Sequence, residues 1–60
     1  MHEWMFDSED GADVRFMCAQ CGGGIGFNRP GVGEPAAVPI DGGAWAPPEG
    51  ADQWYGRPCQ

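Results

Sequence analysis

Cys18 and Cys21 stand two residues apart in Phe16-Met17-Cys18-Ala19-Gln20-Cys21-Gly22-Gly23, and this spelling constrains the fold more than any other stretch of the chain. Two thiolates at that spacing can share one tetrahedral ion, because the backbone between them turns tightly. A Gly after the second Cys permits the left-handed conformation that aims amides at sulfur. A chain of 60 residues needs such help. Its core offsets only part of the entropy lost on folding. Eleven Gly, six Pro and no Leu deepen the deficit and argue against long helices or wide sheets. Three Trp, three Phe and one Tyr supply apolar area that a disordered segment rarely carries. The expected fold class is a small β-rich, loop-heavy, metal-stapled domain with little or no helix.

The opening third predicts a β-hairpin. Residues 2–7 and 13–18 flank Ser8-Glu9-Asp10-Gly11-Ala12, a polar stretch with turn chemistry. A loop of that length sets Asp7 opposite Asp13, Phe6 opposite Val14, Trp4 opposite Phe16 and His2 opposite Cys18. Because side chains alternate along a strand, His2, Trp4, Phe6, Val14, Phe16 and Cys18 then share one face. A one-residue slip would bring Trp4 against Arg15 and break the match. The hairpin leads into the Cys-x-x-Cys knuckle. Gly22 to Asn28 leaves it as an extended run, with Ile25 and Phe27 on one side and glycines on the other. Val38-Pro39-Ile40, Asp41-Gly42-Gly43 and Ala44-Trp45 read as an edge strand with a tight turn. Ala46-Pro47-Pro48-Glu49-Gly50 favours polyproline geometry and a bend. The whole chain, 1–60, forms a single domain: hairpin and knuckle over 1–29, then an extended Gly/Pro-rich arm over 30–60 that returns Cys59.

The segment Val14 to Gly23 resembles the knuckle of rubredoxins and zinc ribbons, in which a strand runs into Cys-x-x-Cys-Gly. The resemblance covers one half of such a site and implies a tetrahedral metal. Where those families supply a second knuckle, this chain has Cys59 after Pro58. With the only histidine, His2, delivered by the hairpin register, the candidate metal ligands are Cys18, Cys21, Cys59 and His2. The mixed sulfur and imidazole set favours Zn2+ over iron. A disulfide from Cys59 to Cys18 or Cys21, a redox dithiol and plain thiols stand as the rival readings; the odd number of cysteines fits ligation better.

The net charge of −6, nine acids against three Arg, disfavours binding to a nucleic-acid backbone. No apolar run reaches the ~20 residues of a membrane span, and the first residues lack the basic and apolar regions of a secretion signal. An intracellular or virion-associated protein is expected. The glycine runs at 22–26 lack the helix and the Lys-Ser/Thr ending of a phosphate loop. No motif places Ser or Asp beside His2 for hydrolysis, and the acids around Ser8 lack calcium-loop spacing. Trp45, Trp54 and Tyr55 are candidate partner-binding residues, since aromatics give large contact area with few rotors to freeze; packing in the core is their alternative role. These readings converge on a non-enzymatic structural or adaptor protein, a zinc-stapled clip bound along a larger protein assembly. The size, the absence of Lys and the acidic balance suit a minor virion or decoration protein of a bacteriophage. The alternative is a small acidic inhibitor that binds a basic groove of a host enzyme through the acids of residues 3–13, and a third is a thiol redox module.

Overall fold

The structure, a computed structural model, describes residues 2–59. Strand β1 (Trp4–Asp10) and strand β2 (Asp13–Cys18) form the antiparallel hairpin, joined through Gly11 and Ala12. Gly11 has φ +60° and Ala12 does not enter the left-handed region. That combination is what a type II′ turn requires, with Gly at its first central position and a twist that matches the strands. The turn is tighter than the loop expected over Ser8 to Ala12, and β1 runs on through Asp10.

The register is corrected accordingly. Trp4, not His2, lies opposite Cys18, while Phe6 pairs with Phe16 and Glu9 with Val14. Run back along an unbroken ladder, a two-residue turn would set Asp7 opposite Phe16 and carry Trp4 to the wrong face. The ladder instead slips by one residue between Phe6 and Ser8, leaving Asp7 bulged. A bulge inserts one unpaired residue and so restores the two-residue parity. The expected apolar face survives for this reason. Trp4, Phe6, Val14, Phe16 and Cys18 still share it, although each β1 ring has moved two residues along β2.

Strand β3 (Gly24–Asn28) adds antiparallel to β2, with Phe27 opposite Val14 and Ile25 opposite Phe16. Its glycines fall on the outer face, as the alternation predicts. The arm contains a second, small sheet: β4 (Val38–Pro39) pairs with β5 (Trp45–Ala46) across a 3-10 turn at Asp41–Gly43. After the prolines comes one short helix, α1 (Ala51–Tyr55), closed by Gly56 in the left-handed conformation with its amide on the Asp52 carbonyl. Strand is therefore abundant and helix scarce.

Val14, Phe16, Phe27, Ala37 and Ala51 make the buried core, with Trp4, Ile25 and Trp45 packed against it. Two of these five are alanines. So slight a core matches the deficit that composition implies. The arm is tied to β3 where the Ala37 amide donates to the Asn28 carbonyl at 2.8 Å and the Asn28 amide donates to the Pro35 carbonyl. Arg29 stacks over the Trp45 ring at 5.5 Å and approaches Glu9 at 3.5 Å, and the Trp45 indole donates to the same carboxylate. These contacts are exposed and hold the arm's orientation more than they add stability.

Candidate metal centre

Three parts of the chain meet at one end of the hairpin. The end of β2 supplies Cys18, the turn after it supplies Cys21, and the tail supplies Cys59, while His2 enters from just before β1. Ladder bonding continues past β1, where the Ala19 amide donates to the Glu3 carbonyl at 2.9 Å. Because Trp4 pairs with Cys18, even-numbered His2 keeps to the same side of the sheet. It reaches Cys21 rather than sitting opposite Cys18: its Nδ1 lies 3.4 Å from the Cys21 Sγ. The knuckle closes through the Gly22 amide on the Cys18 carbonyl, and Gly22 adopts φ +77°, as a Gly after the second Cys should.

One ligand atom from each of His2, Cys18, Cys21 and Cys59 lies within 4.8 Å of the other three. The four side chains could hold a metal ion. A tetrahedral ion with metal–sulfur bonds near 2.3 Å and metal–nitrogen bonds near 2.0 Å has edges of about 3.6–3.8 Å. The Cys18 and Cys59 sulfurs are 3.5 Å apart, close to such an edge. The widest pair need contract by only roughly 1 Å to meet it. A disulfide would require a sulfur separation of about 2.05 Å. All three cysteines are free.

The surroundings orient these donors. The His2 Nε2 lies 2.6 Å from the Arg57 carbonyl, which can only accept, so Nε2 carries hydrogen and Nδ1 is the nitrogen that faces the sulfurs. The ring is stacked on Trp4 at 4.7 Å and meets the edge of Tyr55 at 5.0 Å. Asp52, on α1, accepts the Trp4 indole N–H at 2.8 Å and the His2 backbone N–H at 3.2 Å, so one carboxylate aligns the ring and its platform. The His2 amide lowers the Asp52 pKa most; burial opposes it and the Trp4 indole adds to it.

Proton affinities within the cluster diverge. Burial pushes the Cys18 thiol up, yet the backbone amides of Cys21, Glu3 and Gln20, with His2, outweigh it and bring it down to about 5. Burial and the neighbouring thiols at Cys18 and Cys21 push Cys59 up to about 11. The Arg57 carbonyl, then Cys18, raise His2 to about 9. Left to themselves these groups share protons among crowded sulfurs; a divalent cation would take the place of those protons.

Asp52, Trp4 and Tyr55 were not legible as parts of this site. Trp54 and Tyr55 are adjacent in sequence, but successive helical residues point about 100° apart. Tyr55 is therefore turned inward against His2 and Trp4, while Trp54 stands 61% exposed. Trp45 lies half-buried on the core. Of the three candidate partner-binding aromatics, Trp54 alone presents most of its ring to solvent. No protein-family model, no curated protein and no solved structure matches this chain.

Proposed function

We propose that the chain is a non-enzymatic structural or adaptor protein, stapled by one zinc ion on Cys18, Cys21, Cys59 and His2 and offering its remaining surface to a protein partner. The observation that carries the reading is the convergence of four donors from separated stretches of a chain whose described residues form a core cluster of five. Three sulfurs and one imidazole are a zinc donor set. Four protein donors leave no open position for substrate water, which suits a structural rather than a catalytic ion. Such an ion contributes on the order of 10 kcal/mol to folding, the scale of help this core needs. Exposed Trp54 supports the binding half of the proposal.

Native mass spectrometry of the purified chain tests the staple. One zinc per chain, removed by a chelator, is expected; a metal-free chain two protons lighter through a disulfide would refute it.

The acidic-inhibitor reading keeps one favourable observation: Glu3, Asp7, Glu9, Asp10 and Asp13 are all exposed. Affinity for a partner bound through those acids falls steeply with salt, whereas affinity through Trp54 does not.

A further inference from the structure

Backbone pairing along β3 is one-sided. The Cys18 amide donates to the Gly23 carbonyl and the Arg29 amide to the Ala12 carbonyl. With the β2–β3 register between them, odd-numbered residues of β3 turn their amides and carbonyls toward β2. Gly24, Gly26 and Asn28 therefore turn theirs outward. Asn28 is satisfied there by Pro35 and Ala37. Gly24 and Gly26, both exposed, have no hydrogen-bond partner on that side among the described residues.

Among the described residues nothing asks for glycine at these two positions. Neither has a positive φ. A Cβ on Gly24 would come no closer than 3.8 Å to another atom, and on Gly26 no closer than 3.9 Å, which are ordinary contacts. Glycine weakens a strand interior, and one remaining reason for it is the close approach of another backbone. The edge also lacks the usual protections, since Gly24–Phe27 holds no Pro or Lys and, among the described residues, no segment covers its glycines, which are exposed. A cavity of about 350 Å³ opens over the same glycines, flanked by Met17 and Arg15 and bearing the carboxylates of Asp7 and Asp13.

We infer that the free edge of β3 takes up an extended, net-basic segment of another protein as a fourth strand, seating one apolar side chain over Gly24 beside Met17. Outward amides and carbonyls at Gly24 and Gly26 supply four main-chain hydrogen bonds, the mode in which a peptide extends a sheet. Charge selects the sign of the partner. Two carboxylates face one guanidinium in the cavity, and the chain as a whole carries −6, which repels a second copy of itself and attracts a cationic segment. This inference rests on the protein-binding half of the proposed function and is independent of the metal.

The test uses the full chain and a capped heptapeptide alternating valine with lysine and threonine, followed by amide NMR. Expected are shifts and slowed exchange at Gly24 and Gly26, and a loss of affinity exceeding tenfold when alternate peptide amides are N-methylated. A glutamate-for-lysine peptide should bind at least tenfold more weakly. A Gly24→Val protein, which the open space accommodates, should stay folded and lose affinity. Binding indifferent to N-methylation, shifts confined to other surfaces, preference for the acidic peptide, self-association through β3, or no binding at millimolar peptide would each overturn the inference. Peptide binding that persists in a chain found to carry no zinc would keep it while sinking the staple.

Discussion

His2 owes its position beside the sulfurs to three restraints rather than to its place in the ladder. The Arg57 carbonyl accepts from Nε2 and so turns Nδ1 toward the sulfurs, Trp4 stacks on the ring, and Asp52 holds both the Trp4 indole and the His2 amide. Loss of such an outer partner typically weakens metal binding by about 10–100-fold. Asp52→Ala is therefore expected to lower zinc affinity within that range, read by competition with a chromophoric chelator, while leaving one zinc bound per chain at saturation. Cys18→Ser removes a ligand itself and should abolish stoichiometric binding in the same assay. That these four donors cluster was legible from their types and from strand alternation. Asp52 was not, because a carboxylate in a Gly/Pro-rich tail bears no mark of the helix that aims it.

Among the elements, the hairpin joins a tight turn to an aromatic face that the turn alone would misalign, and the bulge at Asp7 reconciles them. Removing the bulged residue should leave parity intact: a chain lacking Asp7 is expected to fold and bind one zinc. A chain lacking Met5 instead turns Trp4 to the outer face and should lose the site. Zinc stoichiometry and the tryptophan emission maximum distinguish the two deletions. The face was readable from alternation, whereas the register was not, since sequence shows neither how tightly Gly11 turns nor where an unpaired residue is absorbed. The approach of α1 to the sheet gives a second check. A Cβ on Gly23 would collide with the phenol of Tyr55, so Gly23→Ala should cost about 1–3 kcal/mol in denaturant unfolding. A cost near zero would mean that Tyr55 does not pack there.

At the scale of the whole molecule, a core of two phenylalanines, one valine and two alanines offers little apolar area to offset chain entropy, and the start, knuckle and tail meet at one donor cluster. Chelation is accordingly expected to unfold the chain, with loss of dispersed amide resonances and recovery on adding one equivalent of zinc. The small core was legible in the composition; the paths of the arm and of α1 rest on contacts between distant residues and left no periodic trace. The claim beneath the whole account is a single zinc ion on three sulfurs and one nitrogen. X-ray absorption at the zinc edge of the loaded chain measures that shell directly. Three sulfur neighbours at about 2.3 Å and one nitrogen near 2.0 Å are predicted; a shell dominated by oxygen, or one that keeps its three sulfurs and one nitrogen when Cys59 is replaced by serine, would contradict it.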